Sequence, residues 1–220
     1  MDTVDGRAAR SRATRARVAA VAARLFTEHG YTATSVQSVA REAGVAAQTV
    51  YNSFGTKPAL LKEALDQAVA GDAEPVATLD RPWVRRALAA GDAREQIRLH
   101  VAGTTVVLER VAALVEVVRG AAGSDPDLAA LWRTNVDQRR AVQRVFATAL
   151  ADRGALRPGL DVEEAADTAL ALLSPEVYTL HTVHRGWTPR RWRAWAEEAL
   201  VRQLTDLATT PGGGRTGRPR

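Results

Sequence analysis

The chain has 220 residues, a net charge of +5 and a hydrophobic fraction of 46%, which is the composition of a globular protein able to bury a core. It contains no cysteine, which excludes disulfide frameworks, thiolate metal sites and thiol nucleophiles. No apolar run reaches the roughly 20 residues that span a bilayer, and the Arg-rich N-terminus is unlike a signal peptide. We therefore expect a cytoplasmic protein that does not bind membranes.

The positive charge is concentrated near the N-terminus. Residues 7–54 hold seven Arg and two Glu, whereas the rest of the chain holds 23 basic and 23 acidic residues. Because a protein that neutralises phosphates releases counterions, such a local excess is typical of nucleic-acid binding. A solvated basic tail is the simpler alternative. Residues 1–9 are expected to be irregular, and Arg12 lies in a run of Arg that could approach phosphates or a minor groove.

Helical periodicity predicts three short elements in the first 55 residues. The first helix runs from about Thr14 to a stop at His29–Gly30, and Thr34 with Gln37 forms a capping-box signature for the second. Gly44 permits a tight turn, after which a third helix covers about Ala47 to Ser53. This arrangement predicts a helix-turn-helix.

The third helix places polar side chains on the face opposite Val50 and Phe54, namely Gln48, Thr49, Tyr51 and Asn52. Gln and Asn can pair bidentately with adenine in the major groove. Thr and Tyr hydroxyls, and a helix N-terminus such as the one at Ala47, suit phosphate oxygens. Thr34, before the second helix, is a further candidate for DNA contact. One local weakness is Ala46, which stands at the cap position without a side-chain acceptor.

Residues 14–65 resemble the DNA-binding domain of the TetR family of bacterial transcription regulators (TetR/AcrR-like). The residues that carry the resemblance are Ala22, Phe26, Gly30, Thr34, Val39, Ala40, Ala43, Gly44, Val45, Thr49, Val50, Tyr51, Phe54, Lys57, Leu60 and Leu61. The resemblance implies a homodimer that reads a palindromic double-stranded operator, a phosphate contact by Lys57, and release by a small-molecule effector.

We therefore expect an all-α fold with an N-terminal three-helix helix-turn-helix domain (10–70), a larger C-terminal helical regulatory and dimerisation domain (76–208) and a flexible tail (209–220). The boundary falls at the helix-breaking segment Gly71–Pro75. In the second domain, helices are predicted over about Ala93–Arg119, Asp125–Asp152, from Asp161 to a break at Ser174–Pro175, and from Thr188 onward.

Polar and aromatic side chains on inward faces of the C-terminal helices are effector-site candidates. Such residues indicate either an internal hydrogen-bond network or a ligand cavity. Arg139 suits an anionic or polar ligand, and a buried ion pair within its helix would account for it equally well. The candidates are Trp83, His100, Thr104, Trp132, Asn135, Arg139 and Tyr178.

The last long helices carry an apolar stripe that the resemblance assigns to a four-helix dimer interface. Packing of the closing helix within one chain is the alternative. The interface candidates are Ala166, Leu170, Leu173, Trp192, Trp195, Ala199, Leu200 and Leu204.

Catalytic signatures are missing from the sequence, so no enzyme activity and no cofactor are expected. His181 and His184 stand three residues apart but lack a third ligand at a recognisable spacing, so no metal site is predicted. The alternatives to an effector-released repressor are an activator, an effector-independent DNA-binding protein and, less favoured, a helical enzyme or small-molecule carrier.

Overall fold

The computed structural model describes residues 2–71 and 77–207, and every regular element within those ranges is helical. Ten α-helices occur there: Asp2–Ala33 (α1), Val36–Glu42 (α2), Ala47–Phe54 (α3), Lys57–Ala70 (α4), Pro82–Leu88 (α5), Ala93–Ala121 (α6), Pro126–Asp152 (α7), Val162–Leu172 (α8), Pro175–Thr179 (α9) and Pro189–Leu204 (α10). A 3-10 turn, Thr78–Asp80, precedes α5, and a π-helical turn, Leu180–His184, follows α9. The predicted all-α fold is confirmed.

Side-chain caps fix where most of these helices begin. The side chains of Thr56, Asp92, Asp125, Asp161, Ser174 and Thr188 each accept a hydrogen bond from a backbone N–H in the first turn. Pro occupies the first turn of α4, α5, α7, α9 and α10, where its missing N–H has no helical acceptor to lose. Short polar residues therefore set the helix boundaries that the sequence predicts.

The first helix is longer than predicted. It begins at Asp2 rather than near Thr14, so the expectation of an irregular segment over residues 1–9 is wrong for 2–9. At Gly30 the backbone leaves helical geometry, with φ +77° and ψ 174°, and one further turn reaches Ala33. The predicted stop is thus a break inside the element, at the position where a left-handed φ favours glycine.

Two main hydrophobic cores are joined by α6. The first core lies among α1, α2, α3 and α4, which we call the head, and it also includes Val111, Leu114, Val115 and Val118 of α6 and Leu128 of α7. The second contains apolar residues of α6 from Ala93 to Ala112 and others of α7, α8, α9 and α10. We call α5 to α10 the body. Because one helix contributes to both cores, the head and the body are packed together rather than tethered.

The segment proposed as a domain boundary falls mostly on residues 72–76, and the proposed tail on residues 209–220; both lie outside the described residues. Next to that boundary, Arg110 of α6 donates from Nε to the carbonyl of Ala68 (2.8 Å) and from Nη2 to that of Val69 (3.0 Å). Gly71 ends α4 in a left-handed conformation, and a Cβ there would lie 2.8 Å from the guanidinium carbon of Arg110. An arginine of the body therefore caps the last turn of a head helix.

None of the helices in residues 2–71 and 77–207 has both the length and the apolar character to cross a membrane.

Candidate functional site

The helix-turn-helix is formed by α2 and α3. Gly44 adopts a φ of +67° in the turn between them, and the N–H of Val45 donates to the carbonyl of Ala40 (3.0 Å). Val50 and Phe54 are buried in the first core, which fixes the rotation of α3. As predicted, the side chain of Ala46 gives the first turn of α3 no cap.

The outward face of α3 carries the predicted polar set. Gln48, Thr49 and Asn52 are exposed, and Tyr51 is 40% exposed. Gln48 Nε2 donates to Asn52 Oδ1 (2.8 Å), which holds the two amide groups together one turn apart. Ala47 differs from its neighbours because its side chain packs against the first core, so any DNA contact at this position would come from its backbone. Four adjacent polar side chains are thus presented on one short helix.

Thr34 does not cap α2, and this part of the prediction is wrong. The cap is Ser35, whose hydroxyl accepts from the N–H of Ser38 while the Ser38 hydroxyl accepts from the N–H of Ser35. Thr34 is 2% exposed, and its hydroxyl donates to the carbonyls of Leu25 (3.0 Å) and Gly30 (2.9 Å). It stabilises the break at the end of α1, so a side-chain contact of Thr34 with DNA is withdrawn.

Lys57, the first residue of α4, lies beside an aromatic ring. Its Nζ is 4.1 Å from the ring centroid of Tyr31, a distance typical of a cation–π interaction. The Tyr31 hydroxyl donates to Asp125 Oδ2 (3.1 Å), and Asp125 is also the cap of α7 in the body. Partial burial lowers the pKa of Lys57, and the nearby charge of Asp125 opposes that change. Burial, aided by Asp125, raises the pKa of Tyr31 to about 12.

The basic run on α1 divides into two kinds of residue. Arg12 and Arg17 are exposed. Arg15 instead donates to the carbonyl of Ser53 at the end of α3, pairs with Glu63 of α4 (2.5 Å) and lies over the ring of Phe54. A hydrogen bond from Arg15 lowers the pKa of Glu63. Arg15 therefore holds three head helices together, and Arg12 stays a candidate for DNA contact.

In the body, His100 of α6 is buried against α7. Its ring is stacked on that of Phe146 at 3.6 Å, and Phe146 is in turn stacked on Trp83 of α5 at 6.1 Å. Trp83 lies over Gly103, where a Cβ would come within 2.1 Å of the indole. Thr104 is half-buried, one turn from His100. Burial lowers the pKa of His100 to about 3, so its ring is neutral at physiological pH.

A row of polar side chains follows one face of α7. Asn135, Arg139 and Gln143 are spaced four residues apart, and each has a buried side-chain atom without a hydrogen-bond partner: Oδ1, Nε and Oε1 respectively. Arg139 Nη1 pairs with Glu176 of α9 (3.2 Å), and the Arg139 guanidinium lies 5.4 Å from the ring of Trp132. An ion pair does account for Arg139, but it joins two helices rather than lying within one.

Tyr178 and Trp192 bring α9 and α10 together. Both are buried, and their rings meet edge to face at 5.0 Å. Trp192 Nε1 and His100 Nε2 are also buried without a hydrogen-bond partner. Sequence reasoning missed Gln143 and Phe146 as members of this region, although Gln143 continues the four-residue spacing of Asn135 and Arg139. It also missed Glu176, because its pairing with α7 joins distant parts of the chain.

Comparison with known proteins identifies the head. Residues 18–64 match the family model described as "Bacterial regulatory proteins, tetR family". The head is therefore similar to the DNA-binding domain of that family. The match supports a role in DNA-binding transcriptional regulation. No curated protein sequence matches the chain.

Solved structures share the fold across both head and body. The SmeT–triclosan complex is 19% identical, with a TM-score of 0.68, over 94% of this chain and 100% of the other. NalD from Pseudomonas aeruginosa, the secondary repressor of the MexAB-OprM multidrug efflux pump, is 22% identical, with a TM-score of 0.64, over 88% and 97%. A protein from Saccharomonospora viridis in complex with choline is 22% identical, with a TM-score of 0.69, over 87% and 97%.

The predicted dimer interface needs correction. Five of its eight residues are buried inside the single chain and cannot face a partner: Ala166, Leu173, Trp192, Leu200 and Leu204. These five residues pack within their own chain, in the second core. Leu170, Trp195 and Ala199 are half-buried and stay candidates for the dimer interface.

One of the two histidines considered as metal ligands lies close to this surface. The ring of His181 lies 4.3 Å from that of Trp187 and 4.6 Å from that of Trp195. Across residues 2–71 and 77–207, no three potential metal ligands come together.

Acid should destabilise the protein through His100. Its folded-state pKa of about 3 lies below the usual 6.5, so its contribution to stability is present above pH 6.5 and is lost as the pH falls toward 3. Between pH 7 and pH 5, we expect the parent to lose about 2 kcal/mol of unfolding free energy relative to the variant His100→Phe, as measured by urea denaturation. His29→Phe, which alters an exposed histidine, should keep the parent's pH dependence. Parallel pH profiles for the parent and His100→Phe would contradict this prediction.

Proposed function

We propose that the chain is a homodimeric repressor that binds a palindromic operator through α3 and leaves it when a small molecule binds in the body. Operator binding through α3 is supported by one observation. Gln48 and Asn52 are exposed and hydrogen-bonded to each other on a helix whose rotation is fixed by the burial of Val50 and Phe54. Two such helices on one face of DNA would meet major grooves roughly one helical turn, or a multiple of it, apart. That NalD, which shares the fold, is a repressor favours repression over activation.

Contacts to the phosphate backbone are assigned to Arg12, Thr49, Tyr51, Lys57 and the backbone at Ala47. Lys57 is the first residue of α4, which follows α3 closely in the chain, and Arg12 is exposed on α1. These groups would position the protein on any duplex, whereas Gln48 and Asn52 would select the sequence.

The dimer is assigned to the outer surfaces of α8 and α10, where Leu170, Trp195 and Ala199 are half-buried. These helices pack against each other in the second core, so their outer faces are neighbours. Apolar groups left half-exposed on two adjacent helices suit a four-helix bundle with a second copy.

Effector release is assigned to the contacts between head and body. A ligand bound among α6, α7 and α9 would shift the helices that carry Arg110 and Asp125, which hold the end of α4 and Tyr31 beside Lys57. The ligand must prefer the arrangement that fits DNA poorly, and a coupling of about 1–3 kcal/mol is typical. An effector-independent regulator is the second candidate; for it, the unpartnered polar atoms of the body would bind only water.

Substitutions on α3 and α4 test the DNA-reading proposal. On an operator selected from a random duplex library, Gln48→Ala and Asn52→Ala should each cost about 1–3 kcal/mol and relax base preference. Lys57→Ala should weaken binding to all sequences and reduce the slope of log affinity against log salt by about 1.

Two controls are matched to these variants. Lys62, the chain's other lysine, lies on the same helix, is exposed and pairs with Asp66, so Lys62→Ala should leave the salt slope unchanged. Gln138→Ala, on the exposed face of α7, should leave operator affinity unchanged. Parent affinity in the Gln48 and Asn52 variants, or a flat salt response, would contradict the proposal.

The dimer is tested by mass in solution. The parent should sediment as a dimer at micromolar concentration, and Ala199→Arg should shift it toward monomer because a charge would be buried between two copies. Ala113→Arg, on an exposed position of α6, is the control and should stay dimeric. A monomeric parent, or a dimeric Ala199→Arg variant, would refute the assignment.

A further inference from the structure

We infer that the body binds an elongated, uncharged aromatic molecule that both donates and accepts hydrogen bonds, a chemical class for the effector that rests on the function proposed above. The inference comes from side chains buried in the body whose polar atoms have no partner. Three of them are more than nine-tenths buried: His100 (4% exposed), Gln143 (6%) and Trp192 (0%). Each buried unsatisfied group costs about 1–3 kcal/mol, which a matching ligand would recover.

These groups belong to one region around α7. Asn135, Arg139 and Gln143 lie on one face of that helix, spread over roughly 12 Å at 1.5 Å per residue. Glu176 of α9 reaches this face at Arg139 (3.2 Å), and the stacked ring of His100 lies at the adjoining turn, on Phe146 (3.6 Å). Trp192 contacts Tyr178 of α9 and shares the second core with Ala147 and Leu150 of α7. A ligand that meets the whole row must therefore be long rather than compact.

The charges in this region cancel. The amides of Asn135 and Gln143 and the indole of Trp192 are neutral, and His100 is held neutral by burial. Arg139 is the one formal positive charge in the set, and Glu176 already faces it. A carboxylate ligand would have to displace Glu176 or leave a surplus negative charge in a partly buried place, and both are costly. A cationic ligand would have to displace Arg139 from Glu176 or leave a surplus positive charge in the same place.

The unpartnered atoms also set the pattern of hydrogen bonds. Arg139 Nε and Trp192 Nε1 can only donate, whereas Asn135 and Gln143 each present an amide oxygen that accepts. The region is bordered by the rings of Trp83, Trp132, Phe146 and Tyr178. Aromatic side chains favour a planar, apolar body in the ligand. Together these features describe an aromatic skeleton with a neutral polar group such as a carboxamide.

Three probes with one skeleton and different charges test the inference: biphenyl-4-carboxamide, biphenyl-4-carboxylate and biphenyl-4-methylammonium. Binding to the full-length protein is measured by isothermal titration calorimetry without DNA. We expect the carboxamide to bind at least about tenfold more tightly than either ion. Gln143→Leu should weaken carboxamide binding by about tenfold, because it removes an acceptor.

Charge variants make the test specific. Glu176→Gln leaves Arg139 uncompensated, so the carboxylate should become the tightest of the three probes. The double variant Arg139→Gln/Glu176→Gln is neutral again and should keep the parent's preference for the carboxamide. Glu163→Gln is the control, because Glu163 pairs with Arg140 and Arg144 elsewhere on α7 and its loss should not change the order.

Other results would overturn the inference. The parent could bind the carboxylate as tightly as the carboxamide, or the order of affinities could stay unchanged in Glu176→Gln. A dissociation constant above about 1 mM for every probe would also contradict it, because water alone would then occupy the site. A separate titration against operator DNA distinguishes this failure from that of the proposed function. If the carboxamide binds but does not weaken DNA binding, effector release fails while the ligand class stands.

Discussion

The apolar packing of α6 against the head is the constraint on which the rest of the structure depends. Val111, Leu114, Val115 and Val118 are buried in the same core as Phe26, Val39 and Leu61 of the head. The other half of α6 contributes Ile97 and Val101 to the body core and carries His100. One continuous helix thus forms part of both the head and the region proposed to hold an effector. The head cannot rotate without changing packing along α6.

Polar contacts at the edge of this shared core link the body to Lys57, the residue proposed to contact phosphate. Arg110 holds the last turn of α4, whose first residue is Lys57. Asp125 holds Tyr31, whose ring lies under the Lys57 amine, and the same carboxylate caps α7, which bears Asn135, Arg139 and Gln143. A displacement of α6 or α7 would therefore reach both ends of α4. These contacts give the proposed effector site a direct physical connection to Lys57.

Local sequence signals were sufficient for the parts of this protein that depend on neighbouring residues. The caps at Thr56, Asp125 and Thr188, the glycine turn at Gly44 and the outward polar face of α3 all follow from residues within a few positions of one another. Where two adjacent residues could both cap a helix, long-range packing determines which of them does so. Thr34 and Ser35 can both cap a helix, but only Thr34 is positioned to satisfy the carbonyls left free at the break in α1.

Long-range contacts could not be predicted in the same way. The stripe from Trp192 to Leu204 is apolar at helical spacing, and that pattern is identical whether the helix faces its own chain or a second copy. Trp192, Leu200 and Leu204 face their own chain, whereas Trp195 and Ala199 of the same stripe are only half-buried. The pairings of Arg110 with α4, Arg15 with Glu63 and Arg139 with Glu176 join residues 37 to 48 positions apart. Spacing along the chain carries no signal for these pairings.

The claim that head and body are one cooperative unit is tested most directly by unfolding. All five tryptophans, at positions 83, 132, 187, 192 and 195, lie on the body side of the chain, but Trp132 packs against the first core. In a Trp132→Phe background, which serves as the parent here, tryptophan fluorescence therefore reports on the body. Val39 is buried on α2, which packs against α1 and α3 in the head. Val39→Ala should lower the unfolding free energy by about 1–3 kcal/mol and shift the urea midpoint equally by fluorescence and by far-UV circular dichroism. A fluorescence midpoint that stays at the parent value while the dichroism transition separates into two steps would contradict the account.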